Sequence, residues 1–492
     1  MDAHNVNRPA ALPRAASPLQ ISAVAHGITE LRQEAAALRD LLGGLGTRVL
    51  ATLLDNSPAW AVADEAAALA DVVHVPLPLF FSEAQIAHAL RAAGVDTLLV
   101  PSFAAGRWPL LAGPHRKIAG ESLSLLHIDA IPVPTPAGTV KITFTSGSTG
   151  APKGVCLSTA ALHAVRDGLV EALRPLHIER HLCALPLAVL LENVAGLMAP
   201  TAAGANCIVL PLAQLGLGGS SSFDPERFHT TVLEHEPNSL ILLPQMLRAW
   251  VGFLARTRRR APSSLRLVAV GGAAVGARLL ASARGLGIPA YEGYGLSEGA
   301  SVQTLNLPGA DRVGSAGRPL PHAQVRIAVD GEIEVGGSLF SGYLGHGEAP
   351  ASDWWPTGDL GSMDADGFLH VTGRKKNVLI TGFGRNVAPE WVETALRGEN
   401  AVAEAVVFGD AEPSLSAVLW PSSRDGDDSQ LQGAVDAANA TLPDYARVQR
   451  WTRARAAFDA DSGFATSNGR PQRAAIWKAH RDCLTRLPDA AP

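Results

Sequence analysis

The chain has 492 residues, of which 47% are apolar and 18% charged, a composition typical of globular proteins. A chain of this length exceeds one hydrophobic core, so we expect at least two domains. The formal net charge of −5 and the pI near 6.3 argue against a general nucleic-acid binder or a binder of anionic membranes. Four cysteines without paired metal spacing indicate buried thiols in a reducing compartment.

The N-terminus carries no sign of a targeting segment. Residues 1–20 are polar and rich in Pro and Ala, without the apolar stretch of a signal peptide, and we expect them to be disordered. The most apolar span, residues 185–217, is interrupted by Glu192 and Asn193, which favours buried core over a membrane helix. We therefore expect a cytoplasmic protein without a membrane span.

Strands and helices alternate over the first half of the chain. The patterns predict a helix at 28–42, a strand at 48–54, a helix at 60–70, a strand at 72–76, a helix at 82–93 and a strand at 97–100. Further helices are expected at 158–173 and after the Asp224–Pro225 cap, with buried strands at 239–243 and 265–270. Such alternation predicts a parallel α/β sheet covered on both faces.

From about Gly317 the pattern changes to short β segments separated by Gly and Asp turns, at 324–329, 332–335, 368–371 and 377–380. A helix at 387–396 and strands at 403–408 and 414–419 then indicate a small α+β domain. The expected fold class is α/β. It combines a large N-terminal domain of parallel or mixed sheets covered by helices, a β-rich subdomain, and a small mobile α+β C-terminal domain.

The first motif with chemical content is Thr143–Val155, with the sequence TFTSGSTGAPKGV. A β-prone segment runs into a loop whose glycines allow positive φ, so consecutive N–H groups can point into one concavity. The groups that suit a polyphosphate are Thr145, Ser146, Gly147, Ser148, Thr149, Gly150 and Lys153. The alternative is a surface Ser/Gly turn. The spacing is not that of a Walker A motif, because Lys153 follows Gly150 by three positions and precedes Gly154.

Three further motifs follow in the sequence. In Tyr291–Glu298 (YEGYGLSE), an aromatic ring is available for stacking on a base, and Glu298 suits Mg²⁺, which prefers carboxylate oxygens. In Trp355–Gly361 (WPTGDLG), Asp359 can accept both hydroxyls of a ribose. The last motif is TGRKKN at 372–377, followed by 382–393. Read singly, these motifs would also fit a strand–turn with an exposed acid, a turn aspartate and a basic surface turn.

Together the four motifs closely resemble, in order and spacing, the signatures of the adenylate-forming enzymes. This superfamily includes acyl-CoA synthetases, aryl-CoA ligases, peptide-synthetase adenylation domains and beetle luciferases. The resemblance runs from about residue 48 to residue 476. It implies a reaction in two steps, in which a carboxylate and ATP give an acyl-adenylate and pyrophosphate, and a thiol then takes the acyl group and releases AMP.

The resemblance also implies roles for individual residues. ATP would be bound by the loop residues Thr145 to Gly150 with Lys153, and by Gly271, Gly272, Ala273, Glu292, Gly293, Tyr294, Ser297, Asp359 and Arg374. Ser297 would contact the α-phosphate, Glu298 would bind Mg²⁺, and both would act in catalysis with Lys153 and Arg470. Lys376 takes the hinge position, and Gly384 lies on the loop that admits the pantetheine thiol.

By the same resemblance, the expected domains are residues 21–372 for the ATP and acyl sites, 373–376 for the hinge, and 377–492 for the mobile C-terminal domain. The acyl pocket is expected at Val189, Leu190 and Asn193, within Leu185–Val194. Val189 replaces a usual histidine there, and core packing accounts for it equally well. This apolar segment favours a fatty or aryl acid over an amino acid. The acceptor is either coenzyme A or the phosphopantetheine of an acyl carrier protein, which present the same thiol.

One departure concerns the catalytic lysine near the C-terminus of the family. In the matching segment 467–473 its position is occupied by Arg470, and the swap is not conservative because guanidinium is planar and bulkier. Lys478, eight residues on, is not favoured as a substitute. Either Arg470 does the work, or adenylation is slow, or the protein is a non-catalytic relative that binds acyl-adenylate or AMP. We favour the first, since the rest of the phosphate site is intact. No feature favours a luciferase-type oxidation.

Overall fold

The computed structural model describes residues 21–22, 28–108, 113–145, 152–218, 222–345, 352–382, 385–423, 426–466 and 469–485. The strands are β1 Ile21–Ser22, β2 Val49–Thr52, β3 Val73–Pro76, β4 Thr97–Pro101, β5 His115–Ile118, β6 Glu121–His127, β7 Thr139–Thr145, β8 Lys153–Ser158, β9 Arg180–Leu182, β10 Asn206–Ile208, β11 Leu217–Gly218, β12 Ser222–Phe223, β13 Ser239–Leu242, β14 Leu267–Val270, β15 Ala290–Leu296, β16 Ser301–Leu305, β17 Arg318–Pro319, β18 Gln324–Ile327, β19 Glu332–Gly336, β20 Gly342–Tyr343, β21 Trp354–Met363, β22 Leu369–Arg374, β23 Leu379–Ile380, β24 Asn386–Val387, β25 Val402–Phe408, β26 Leu415–Pro421 and β27 Val448–Arg453.

The α-helices are α1 Ile28–Leu45, α2 Pro58–Leu69, α3 Glu83–Ala92, α4 Thr159–Leu173, α5 Ala199–Ala202, α6 Pro225–His235, α7 Pro244–Thr257, α8 Ala277–Gly285, α9 Pro389–Arg397, α10 Asp428–Asn439 and α11 Arg473–Thr485. A π-helix, Glu192–Met198, leads into α5. No helix in the described parts of the chain is both long enough and apolar enough to cross a membrane.

Helix starts follow the local sequence signals. Ser82 caps α3 with a complete capping box to Gln85, Ser158 caps α4, and the Asp224 carboxylate accepts hydrogen bonds from the first turn of α6. These elements were predicted within a few residues, because a cap and its helix are neighbours in sequence.

Two eight-stranded sheets form the large N-terminal part. Their strand orders are β1-β10-β9-β13-β14-β15-β16-β17 and β20-β8-β7-β3-β2-β4-β6-β5. The expected parallel sheet is mixed in both cases. Parallel pairs such as β2–β3 and β13–β14 occupy the centres, and antiparallel pairs such as β7–β8 and β15–β16 lie towards the edges. Short connections fold the chain back at these edges, where a crossover helix is not required.

Helices cover and separate the sheets. Residues of α1 and α2 pack in one apolar cluster with strands of both sheets, and residues of α4 join β8 to β16 in a second cluster. Helices α6, α7 and α8 pack on the other face of the first sheet, and α3 packs on the second. Most core strands are buried on both faces, so they read as continuous apolar runs.

The remainder of the chain is predominantly β structure and small α+β units. Strands β18, β19, β21 and β22 form an antiparallel sheet that carries Asp359 and Arg374. After it, the sheet β25-β26-β27 packs α9 and α10 on one face and α11 on the other. The antiparallel meander and the small α+β unit were both expected from the sequence.

Candidate active site

A single large cleft of about 2440 Å³ collects almost all of the candidate residues that the structure describes. Those lining it are Thr145, Lys153, Val189, Leu190, Gly271, Gly272, Ala273, Glu292, Gly293, Tyr294, Ser297, Glu298, Asp359, Arg374, Lys376 and Arg470. Ser146, Gly147, Ser148, Thr149, Gly150 and Gly384 lie outside the described residues. Thr145 and Lys153 pair across the β7–β8 hairpin, so the glycine-rich loop leaves and rejoins the sheet at the cleft wall.

Asp359 forms the centre of a polar cluster at the cleft. Its Oδ2 accepts a 2.7 Å hydrogen bond from Tyr294 Oη, and its Oδ1 lies 2.7 Å from Arg374 Nε. The register of β21 and β22 places Asp359 opposite Arg374. Burial raises the pKa of Asp359, and the Arg374 guanidinium acts against that rise. The carboxylate is thus held in place by two donors that the sequence had already singled out.

Arg470 enters the cleft from the C-terminal part. The turn that carries it is closed by the Thr466 amide donating to the Arg470 carbonyl at 2.8 Å, with Gly469 at a φ of 74°. Desolvation in the cleft and the charge of Arg374 lower the pKa of Arg470, whereas the carboxylates of Asp359 and Glu298 act in the opposite direction. Arg470 is exposed, and it lines the same cleft as three predicted site residues, Glu298, Asp359 and Arg374. Lys478 is exposed on α11 and does not line the cleft.

Glu298 is positioned by Tyr343, a residue that the sequence did not single out. Tyr343 Oη donates to Glu298 Oε1 at 2.8 Å, and Lys153 Nζ lies 5.5 Å from the centroid of the same ring. Burial raises the pKa of Tyr343, so this hydroxyl stays a donor. Strand β20 brings Tyr343 alongside β8, where it pairs with Val155. Its Gly-Tyr pair has no charge or periodic pattern that could have indicated this role.

Glu292 supports the turn at Gly271–Ala273. Its Oε1 accepts a 3.0 Å hydrogen bond from the Val275 amide, which closes the segment between β14 and α8. Gly272 has a φ of 85°, a conformation that favours glycine. Burial raises the pKa of Glu292 to about 7. The side chain that was expected to contact nucleotide thus also holds the turn beside it.

Glu292 is expected to make the free energy of unfolding of this protein depend on pH. Because its pKa is higher in the folded chain than the ordinary 4.5, its contribution to stability is complete below pH 4.5 and is lost as the pH rises through about 7. We expect the free energy of unfolding of the wild type to fall by about 3 kcal/mol relative to Glu292→Gln over this range. Urea denaturation of both proteins at pH 4.5 and 7.5 measures it; parallel pH profiles would contradict it.

Asn193 does not line the cleft. Its amide is buried in a polar network, where Nδ2 donates to Asp64 Oδ2 at 3.1 Å and Oδ1 accepts from Lys141 Nζ at 2.5 Å. Although burial opposes it, Lys141 together with His74 holds the pKa of Asp64 well below its usual range. The π-helix turns Asn193 towards this network, whereas Val189 and Leu190, which precede the π-helix, face the cleft. Asn193 thus supports the wall from behind.

The junction between the two parts is bonded to both. Lys375 Nζ lies 2.6 Å from both Asp330 and Glu332 on the β-rich side. On the other side, Glu390 of α9 accepts hydrogen bonds from the Arg374 amide at 3.4 Å and from Asn377 Nδ2 at 2.5 Å. Lys376 lies between these anchors and lines the cleft. Its role as the hinge stays a prediction.

Contacts farther out hold the C-terminal part over the cleft. Arg278 at the start of α8 forms an ion pair with Glu399, just beyond α9. Arg248 of α7 donates to the carbonyl of Arg397 at the end of α9. In this orientation Arg470 lines the cleft, so these contacts and the position of Arg470 go together.

Sequence comparisons agree with the fold. The profile described as AMP-binding enzyme matches residues 29–344, and the profile of the AMP-binding enzyme C-terminal domain matches residues 376–488. The chain belongs to the AMP-binding enzyme family. The resemblance to adenylate-forming enzymes and the expected fold class are thereby confirmed. The second profile begins at Lys376, the expected hinge.

Several of the similar proteins are named as CoA ligases or CoA synthases. The long-chain-fatty-acid–CoA ligase FadD15 of Mycobacterium bovis is 42% identical over 189 residues, which are 36% of this chain and 32% of that protein, so the match spans about a third of the relative. The feruloyl-CoA synthase of an Amycolatopsis species is 31% identical over 84% of this chain and 87% of its own. Among solved structures, the O-succinylbenzoate coenzyme A synthetase MenE of Bacillus subtilis in complex with AMP has a TM-score of 0.74 at 24% identity, covering 93% of this chain and 95% of its own.

Proposed function

We propose that this member of the family is an ATP-dependent ligase that joins a carboxylic acid to a thiol through an acyl-adenylate. The observation that carries the proposal is that Arg470 lines the same cleft as Glu298, Asp359 and Arg374. A cation in the cleft, at the position where the resemblance expects the family's catalytic lysine, supports catalysis over binding alone.

In the first step an oxygen of the carboxylate attacks the α-phosphorus of ATP, the bond to the bridging oxygen breaks, and pyrophosphate leaves. Negative charge grows on the α-phosphate and on the leaving oxygen, so positioned cations and hydroxyl donors stabilise the transition state. We assign Arg470 to the acid and the α-phosphate, because its planar fork can contact two oxygens at once. We assign Ser297 to the α-phosphate and Lys153 to the departing phosphates.

For the nucleoside, we assign Tyr294 and the turn Gly271–Ala273 to the adenine, and Asp359 with Arg374 to the ribose. A carboxylate offers about four acceptor sites. Tyr294 and Arg374 occupy two of those on Asp359, which leaves acceptor capacity for the two ribose hydroxyls. The hydrogen bond from Tyr294 thus orients the Asp359 carboxylate, which would accept hydrogen bonds from the ribose hydroxyls.

The residues also fit a Mg²⁺ ion, which the family's chemistry implies. Glu298 offers a carboxylate oxygen on the cleft, the donor type that this hard cation prefers, and Tyr343 fixes its orientation through Oε1. When bound, Mg²⁺ would neutralise charge on the phosphate oxygens.

Replacing Lys153 by Ala tests the assignment of the glycine-rich loop. We expect the change to slow ATP–pyrophosphate exchange by about 10- to 100-fold, because one cation is removed from the phosphates. Thioester formation from preformed acyl-adenylate should change much less, since pyrophosphate has already left. Equal losses in the two half-reactions would contradict this role.

In the second step the sulfur of a thiol attacks the acyl carbon, the bond from that carbon to the phosphate oxygen breaks, and AMP leaves. We propose coenzyme A as the thiol, supported by the names of the relatives, with a carrier protein as the alternative acceptor to be tested. Lys376 is proposed as the hinge between the two half-reactions and Gly384 as part of the thiol entry. A reaction that uses ATP and coenzyme A fits the cytoplasm.

The ion pair between Arg278 and Glu399 is expected to favour the orientation for adenylation, because it spans the two parts while Arg470 is in the cleft. An exposed pair contributes only about 0.2–1 kcal/mol, so Arg278→Glu should slow pyrophosphate exchange by about fivefold once repulsion is included. The charge-swapped pair Arg278→Glu with Glu399→Arg should restore the rate. A double variant no faster than the single one would remove the ion pair from the mechanism.

The acid that best fits the cleft is apolar. Beyond Val189 and Leu190 the lining continues along α4 and α5 through Leu169, Val170 and Ala199. Apolar walls stabilise an acyl chain or an aryl ring by removing it from water, and they offer no partner for an α-amino group. We therefore propose a fatty or aryl acid.

The decisive experiment is ATP–pyrophosphate exchange across a panel of acids from medium-chain to long-chain fatty acids and hydroxycinnamic and benzoic acids. Thioester formation is then measured with coenzyme A or a phosphopantetheinylated carrier protein. We expect exchange with at least one apolar acid and none with amino acids. ATP binding without exchange for any acid would favour a non-catalytic binding protein.

A further inference from the structure

A buried cluster of metal-ligating side chains lies behind the acyl wall of the cleft. His181, Cys183 and Glu192 are 3%, 0% and 0% exposed. One ligand atom from each of them lies within 4.8 Å of the other two. The proposed ligase mechanism uses none of these residues.

The fold brings these donors together from separate elements. His181 lies on β9 and Cys183 two residues later in extended chain, so their side chains share one face. Cys207 of β10 is the register partner of His181 in a parallel pair. Glu192 begins the π-helix and folds back over Gly196, where an added Cβ would lie 2.5 Å from Oε1 and 3.1 Å from His181 Nε2.

Three buried polar atoms of this cluster have no hydrogen-bond partner among the described residues. They are the two carboxylate oxygens of Glu192 and Nε2 of His181. These two residues approach only to 3.7 Å, too far for a hydrogen bond. His181 Nδ1 lies 2.8 Å from Ser239 Oγ, which leaves Nε2 directed towards Glu192. An ionised carboxylate buried without a counter-charge costs several kcal/mol, and a bound cation would offset that cost.

We propose that His181, Cys183 and Glu192 bind a Zn²⁺ ion. Imidazole, thiolate and carboxylate are all zinc donors, whereas Mg²⁺ and Ca²⁺ prefer oxygen alone. Tetrahedral bonds of about 2.0–2.3 Å place ligand atoms roughly 3.3–3.7 Å apart. His181 Nε2 and Glu192 Oε1 are already 3.7 Å apart. The widest separation in the cluster, at most 4.8 Å, would shorten by about 1 Å on binding. The thiols of Cys183 and Cys207 both approach the Gly196 carbonyl, at 3.4 and 3.8 Å.

The site would have a structural role. It would join β9 and the residue just after it to the π-helix, which directly follows the segment carrying Val189 and Leu190. His181 itself borders the cleft, which provides a path for the ion from that side. The hydrogen bond from His181 Nδ1 to Ser239 would fix the ring as the supporting contacts of zinc ligands do. This Zn²⁺ site is separate from the Mg²⁺ proposed at Glu298.

Metal analysis of the full-length protein tests the proposal independently of activity. The wild type, purified under reducing conditions and dialysed against zinc-free buffer, should contain about one zinc per chain by mass spectrometry. Cobalt substitution should give a thiolate-to-cobalt absorption band. Cys183→Ser and Glu192→Gln should lose most of the zinc, and Cys183→Ser should lose the band. The matched control is Cys156→Ser, a buried thiol on β8 of the other sheet, which should keep both.

Zinc analysis of the wild type alone can contradict the proposal, so the test does not depend on the folding of any variant. The proposal is wrong if the wild type contains less than about a tenth of a zinc per chain and the apo protein gives no cobalt band after cobalt is added. His181 and Glu192 would then form a neutral pair without a metal. Retention of zinc by the folded Glu192→Gln and Cys183→Ser variants at the wild-type level would equally exclude these ligands.

Discussion

Replacing Arg470 by Ala is expected to slow ATP–pyrophosphate exchange by about 100-fold or more, the usual cost of removing one positioned group that stabilises charge in a transition state. Arg470 lies in the cleft with Glu298, Asp359 and Arg374, and it is the cation at the position of the family's lysine. Arg470→Lys should keep exchange within about tenfold of the wild type, since it keeps the charge but loses the fork.

The matched control is Lys478→Ala, which removes a charge from the same C-terminal part at an exposed position of α11. It should leave exchange unchanged. Unchanged exchange in Arg470→Ala would remove Arg470 from the mechanism. The comparison thus separates a catalytic arginine from the general charge of the C-terminal part.

The second large effect is expected from Glu298→Gln. Glutamine keeps the shape of the side chain and can still accept the hydrogen bond from Tyr343, but it lacks the charge that attracts Mg²⁺. We expect exchange to fall by about 10- to 100-fold at limiting Mg²⁺, with partial recovery as Mg²⁺ is raised. Exchange rates over a Mg²⁺ titration measure both quantities.

Tyr343→Phe is the control for geometry without loss of charge. It removes the hydrogen bond to Glu298 and keeps the ring beneath Lys153, so a loss of only about fivefold is expected, equivalent to one hydrogen bond. A Glu298→Gln variant with the Mg²⁺ dependence of the wild type would exclude Glu298 as the metal ligand.

Most of the residues that line the cleft could be singled out from the sequence because they belong to short, contiguous motifs. Tyr294, Ser297 and Glu298 lie within five residues, and their backbone geometry is set by neighbours in sequence. Tyr343 was not predicted because its hydrogen bond to Glu298 joins residues 45 positions apart. Its strand, β20, also pairs with β8, which lies more than 180 positions away in the sequence. The prediction for Asn193 placed it on the acyl wall, and the π-helix turns it towards Asp64 instead.

The positions of two cysteines also could not be predicted from local sequence patterns. Cys183 and Cys207 have no metal spacing along the chain, yet parallel pairing of β9 with β10 sets them beside each other and beside His181. Strand order and register decide such contacts, and a local pattern contains neither.

By itself the sequence determined the family, the order of strands and helices, and the candidate residues for the nucleotide, because caps, periodicity and phosphate loops depend on short-range chemistry. Only the tertiary structure decided whether Arg470 lines the same cleft as those residues. That outcome depends on how the C-terminal part packs against α7 and α8, through contacts such as Arg278 with Glu399 between residues 121 positions apart. Side chains so distant in sequence come into contact only when the domains pack against each other, so no local sequence motif predicts the contact.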